Sequence, residues 1–179
     1  ILDQPFMVLA TKNPLEYEGT FPLSPTQLDR FMFRINLDYP TIDEEVEILR
    51  NKTKSSESSG QIISKDQILQ ARKFLIDNMS IDDGISDYIS SIVQSTRTKE
   101  DVIIGASPTA SVSLLNASRG YAVIIRGSDK VTTEDVKAVA FDVLNHRLVI
   151  RDLEAGQDTK DYGVTKINDL LQSSLESIQ

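Results

Sequence analysis

The 179-residue sequence has no cysteine and no tryptophan, a single histidine (His146), and 8 glycines that stand singly. Without cysteine there is no disulfide, no thiolate-held zinc or iron–sulfur cluster and no thiol nucleophile. One histidine leaves too few imidazoles for most catalytic zinc sites. Basic charge is also in short supply, since 19 Lys and Arg against 27 Asp and Glu give a formal net charge of −8. A phosphate-binding groove needs a local Lys/Arg excess to release counterions, so nucleic acid is disfavoured as a partner. No apolar run approaches the roughly 18 residues of a spanning helix and no charged-then-apolar signal segment opens the chain, so no membrane contact and a cytoplasmic location are expected. With hydrophobic residues at 40% and aromatics at 6%, the core must be mostly aliphatic. The length suits one domain or one and a fraction. The first residue is Ile1, a few positions before a strand-like run, which reads as a piece of a longer polypeptide.

What is there begins with Pro5-Phe6-Met7-Val8-Leu9-Ala10-Thr11, a mostly apolar run of strand length ended by Lys12-Asn13-Pro14. Such runs suit a buried parallel strand. Residues 15–23 hold Gly19 and Pro22 and are expected to be loop. Ser24-Pro25-Thr26-Gln27 then offers an N-cap Ser, Pro at the first helical position and Gln at N3, which predicts a helix from about Pro25 to Phe33. Arg34-Ile35-Asn36-Leu37-Asp38-Tyr39 alternates as a half-exposed edge strand would. Residues 1–39 are therefore expected to be a strand-helix-strand step of an α/β core, which by itself cannot cover both faces of a sheet.

From Pro40 the pattern turns helical. Thr41-Ile42-Asp43-Glu44 forms a second capping box before a helix to about Lys52, and the Ser-rich stretch 54–61 is expected to be loop. Ser64 to Gln67 caps a third helix, and Ile85, Tyr88, Ile89, Ile92 and Val93 fall at helical spacing within Asp82 to Thr96. Ser107-Pro108 predicts a long helix ending near Arg126-Gly127, Thr132 or Thr133 one running to about Arg147, and Thr165 to Ser177 the last. Residues 40–179 are read as an all-α domain without internal repeat.

No G-x-x-x-x-G-K-[ST] and no G-x-G-x-x-G occurs. The acid pairs Glu44-Glu45 and Asp82-Asp83 lie in first turns of expected helices, where carboxylates complement the macrodipole, and His146 in a last turn reads as its cationic counterpart. Asn13 follows a buried strand at its carboxyl end, where open α/β sheets bind ligands. Its amide can hold a water against a phosphate, or it can simply be a turn Asn before Pro14. Arg30 has Thr26, Gln27, Phe33 and Arg34 as its helical neighbours, so no acid pairs with it on its own helix. A salt bridge to a distant acid or plain solvation is the simplest reading of it.

The runs Ala10-Thr11-Lys12-Asn13-Pro14, Glu18-Gly19-Thr20-Phe21-Pro22-Leu23 and Gln27-Leu28-Asp29-Arg30-Phe31 closely resemble the MoxR family of AAA+ ATPases. Gly105-Ala106-Ser107-Pro108, Val131-Thr132-Thr133-Glu134-Asp135-Val136 and Val143-Leu144-Asn145-His146-Arg147 continue the resemblance in the same order. It implies the C-terminal part of such an ATPase: residues 1–39 as the incomplete end of the nucleotide-binding core, and 40–179 as the helical lid. Asn13 then takes the sensor 1 role, which positions the attacking water, and Arg30 that of the arginine finger, which reaches the nucleotide of a neighbouring subunit. Pro108 and Thr109 stand at the sensor 2 position, and here the sequence departs from the family, which usually has Arg after G-A-S-P. Threonine supplies no positive charge to a phosphate, and Arg119 lies about 15 Å further along the helix, so either lid coupling is weakened here or another basic residue such as Arg97 or Lys99 takes over.

The resemblance also implies ATP and Mg²⁺ as cofactors of the full-length protein and a homo-oligomeric ring, expected as a hexamer. Its clients would be remodelled or activated, some carrying von Willebrand factor A domains. Lacking Walker A and Walker B, the 179 residues are expected to be inactive alone. A stand-alone helical interaction module that never turns over nucleotide is the alternative, and nucleic-acid remodelling a third reading that the acidic balance weakens.

Overall fold

A computed structural model describes residues 3–12, 23–52, 60, 62–151 and 162–178. In chain order the elements are α1 (Pro25–Leu28), α2 (Ile42–Lys52), α3 (Lys65–Asp77), α4 (Asp83–Thr98), β1 (Val102–Ile104), α5 (Pro108–Arg126), α6 (Thr133–Leu144), β2 (Val149–Ile150) and α7 (Tyr162–Ser177). The protein is mostly helical, as the periodicity predicts. The expected loops at 15–22 and most of 54–61 lie outside the described residues.

The helices start and stop where local chemistry directs. The Asp82 carboxylate accepts the Gly84 amide at 3.1 Å and opens α4, whose inward face is Ile85, Tyr88, Ile89, Ile92, Val93 and Thr96. Pro108 opens α5, and Gly127 closes it at φ 61°, a left-handed conformation in which a side chain would be strained. The turn into α6 is tied by Asp135, which accepts the Thr132 amide at 2.8 Å and the Arg126 guanidinium at 2.6 and 2.7 Å. Burial pushes the Asp135 carboxyl up, but the Arg126 and Thr132 bonds outweigh it and hold the group below its ordinary pKa. Helix α5 packs along α6, and α4 lies against α5 and α7. Ile92, Leu114, Val136, Val143, Leu144, Ile150 and Leu171 fill the space between them, an aliphatic core as the composition requires.

Two features differ from the sequence reading. Within 40–179, β1 and β2 form an antiparallel pair, Val102 opposite Ile150 and Ile104 opposite Val149 with an irregularity between them. Runs of three and two residues are too short for a period to register. Conversely, residues 5–12 and 34–39 join no ladder among the described residues. A strand needs a partner to bond with, and Phe6, Val8 and Leu9 stand 55%, 63% and 82% exposed, so the buried strand expected there is not formed among the described residues. No described helix is long and apolar enough to cross a membrane.

Candidate functional site

The segment around Arg30 is held by the far end of α6. Helix α1 was expected to reach Phe33 but stops at Leu28; the Arg30 and Phe31 amides close a turn back onto Gln27 and Leu28, and beyond it the backbone bonds to the lid. The Arg34 amide donates to the Asp142 carbonyl at 2.9 Å, and Asn145 Nδ2 donates to the Arg34 carbonyl at 3.1 Å. Arg147 Nη2 donates to the Phe31 carbonyl at 2.6 Å and to Ser113 Oγ at 3.2 Å. Its Nη1 lies 3.3 Å from Asp29 Oδ1, with the arginine side chain 1% and the aspartate 25% exposed. Ser107 Oγ donates to the other oxygen of that carboxylate at 2.8 Å. Asp29 is thus gripped from two sides.

His146 lies beyond the end of α6, with Nε2 3.0 Å from the Phe31 carbonyl. Burial chiefly lowers its pKa, and the cationic Arg147 and Arg34 lower it further against the Phe31 bond and Asp29. A lowered pKa disfavours the helix-capping cation expected from its position. Arg147 is likewise drawn below its ordinary value by burial, with Asp29 opposing, but a guanidinium remains charged at any physiological pH.

The Gly105-Ala106-Ser107-Pro108 turn is fixed just as closely from α4. Thr96 Oγ1 accepts the Ala106 amide at 3.0 Å, and Arg97 Nε donates to the Ala106 carbonyl at 2.8 Å. A Cβ on residue 105 would sit 2.8 Å from the Arg97 Cα, so only glycine allows this approach. Ser107 directs its hydroxyl at Asp29 and does not cap α5.

The residues singled out in the sequence fall as follows. Arg30 is exposed, and no acid among the described residues pairs with it. Pro108 and Thr109 are exposed in the first turn of α5. Asn13 lies outside the described residues. Neither basic residue considered for the sensor 2 task is unengaged: Arg97 holds the Ala106 carbonyl, and Lys99 Nζ donates to Ser173 Oγ at 2.9 Å. Asp29, Ser107, Ser113, Asn145 and Arg147 form contacts the spacing did not assign. The available signal was Asn145-His146-Arg147, three polar residues set between the apolar Val143-Leu144 and Leu148-Val149-Ile150.

A model of the AAA lid domain matches residues 94–167, and one of the ATPase family associated with various cellular activities (AAA) matches residues 1–33. The chain is 38% identical over 151 residues to the uncharacterized protein YeaC of Bacillus subtilis (strain 168), covering 83% of this chain and 47% of YeaC. It is 38% identical over 158 residues to the chaperone MoxR1 of Mycobacterium tuberculosis (strain ATCC 25618 / H37Rv), covering 83% of this chain and 41% of MoxR1. The crystal structure of a candidate ATPase from Cytophaga hutchinsonii superposes with a TM-score of 0.83 at 31% identity, over 99% of this chain and 55% of that one. A match to an AAA ATPase family and a match to an AAA lid domain therefore follow each other on one polypeptide. The chain belongs to the MoxR family of AAA+ ATPases and corresponds to their C-terminal part. It spans about half the length of the curated relatives it matches.

Proposed function

We propose that this chain serves as the C-terminal part of a ring-forming MoxR-type ATPase that couples ATP binding and hydrolysis to the remodelling or activation of client proteins. Residues 1–39 are the end of its nucleotide-binding core and 40–179 its lid. Arg30 is the finger that reaches a neighbouring subunit's nucleotide, and Asn13 the sensor that positions water. The observation that carries the reading is Arg30 itself, an exposed guanidinium without an acid partner among the described residues, on a backbone turn anchored at both flanking residues.

ATP with Mg²⁺ supplies the phosphoryl group, the metal neutralising part of its charge. Arg30 fits that chemistry, since a planar, permanently charged fork offered from outside stabilises charge spread over phosphoryl oxygens. Thr109 offers a hydroxyl and no charge, so the lid here reads its own nucleotide by hydrogen bonding alone. A homo-oligomeric ring follows from a finger that works in trans, with a hexamer and clients bearing von Willebrand factor A domains as the family's pattern.

The test is ATP turnover by the 179-residue chain alone and mixed with full-length MoxR1 whose residue aligned with Arg30 has been replaced by alanine. No turnover alone and recovery in the mixture is the expected result. Absence of recovery overturns the finger assignment and favours a stand-alone interaction module.

A further inference from the structure

The turn that carries Arg30 and the turn that carries Thr109 are joined within one chain by side chains that belong to neither residue. Ser107, two positions before Thr109, donates its hydroxyl to Asp29, the residue just before Arg30. Arg147 meets Asp29 from the other side and also holds the carbonyl of Phe31, the residue just after Arg30. The same guanidinium reaches Ser113 on α5, one turn along from Thr109. One planar fork therefore hydrogen-bonds the Phe31 carbonyl and Ser113 while its other nitrogen faces the Asp29 carboxylate as an ion pair, a task the point charge of a lysine cannot reproduce. Its burial keeps water from competing for those bonds. With Asp29 and Phe31 both fixed, the backbone that aims Arg30 is fixed, and only the side-chain torsions of Arg30 remain free.

We propose that Arg147, together with Asp29 and Ser107, is a positioning residue that fastens the finger turn to the sensor 2 turn, so that Arg30 and Thr109 move as a single piece. The proposal rests on the reading of Arg30 as a finger. Its consequence is that any shift of the lid over its own subunit's nucleotide is delivered, through Asp29, to the nucleotide of the next subunit.

Because the chain has no cysteine, Arg30→Cys provides a single attachment point for a nitroxide spin label. In the otherwise unchanged chain the label is expected to be restricted, and Ser107→Ala or Arg147→Ala should loosen it while thermal unfolding of the lid stays cooperative. If Arg147→Ala fails to fold, Ser107→Ala, which deletes one hydroxyl, decides the outcome. A label equally restricted in the folded variants overturns the proposal. The second arm is the mixed ATPase assay. Ser107→Ala and Arg147→Lys chains should lower kcat on the order of tenfold, the scale of a small misplacement of a catalytic group, with KM for ATP unchanged. Arg30→Ala should lose on the order of 10³-fold. A looser label with unchanged kcat would mean that the contacts only hold the fold, and would overturn the positioning role. If Arg30→Ala turns over like the parent chain, it is the finger reading that fails, whatever the label reports.

Discussion

Helices α2 and α4 are built from the same kind of sequence and end in opposite circumstances. Both are amphipathic and both begin at a capping residue, Thr41 bonding Glu44 at 2.8 Å in one and Asp82 bonding Gly84 at 3.1 Å in the other. Yet Ile92 and Val93 on α4 are 0% and 1% exposed, whereas Ile42 and Leu49 on α2 are 81% and 66% exposed. The contrast teaches that capping and periodicity determine where a helix forms, while burial depends on a facing surface. For α4 that surface comes from α5 and α7. The apolar face of α2 finds none within the described residues.

The largest test of this contrast is in the core. Leu114→Ala, at a site with 0% exposure, should cost about 2–5 kcal/mol in urea unfolding. Next, Gly105→Ala should cost about 1–3 kcal/mol, because the new methyl meets the Arg97 backbone at 2.8 Å rather than a flexible side-chain end. Melting temperature measures it, and an unchanged value would mean that the turn and α4 separate easily.

A pH dependence follows from His146, whose pKa is lowered on folding chiefly by burial. The unfolded imidazole takes up its proton near 6.5 and the folded one only at lower pH, so in between the unfolded state binds more protons. Stability is therefore full above about 6.5 and declines as the pH falls through that window. His146→Gln, which can still donate to the Phe31 carbonyl, should flatten the decline. Asp135, Glu44 and Glu134 are all held below their ordinary values, so the stability they contribute is lost in a more acidic range that this substitution leaves intact. The smallest effect belongs to α2: Leu49→Ala should change stability by less than about 0.5 kcal/mol. A loss comparable to that of Leu114→Ala would show that α2 is covered in solution and would abolish the contrast.

Much of the lid was legible because its boundaries are written in residues with one local meaning. Pro108 and Gly127 bracket α5 at the expected positions, since a missing amide and a left-handed turn act within a few residues of chain. What escaped notice depends on distant partners. The short helix α1 ends early in a turn, and beyond it the backbone of 31–34 bonds to 142–147, over a hundred residues away in sequence. His146 has the position of a C-terminal cation, but burial draws its pKa down in spite of the contact with the Phe31 carbonyl. The strand run 5–11 has the composition of a buried strand and finds no ladder among the described residues that would make it one. Arg30 could be singled out by the absence of an acid on its own helix, whereas its support by Asp29, Ser107 and Arg147 is a property of the fold alone.

The pairing of β1 with β2 also concerns how the lid comes apart. The Arg151 amide bonds to the Asp101 carbonyl at 2.9 Å, so the chain leaves for α5 and returns from α6 at almost the same point. Helices α5 and α6 thus form a hairpin with a clasped base, and breaking that clasp releases the whole hairpin rather than one helix. In hydrogen exchange the amides of both helices should share a single opening free energy, the signature of one cooperative unit.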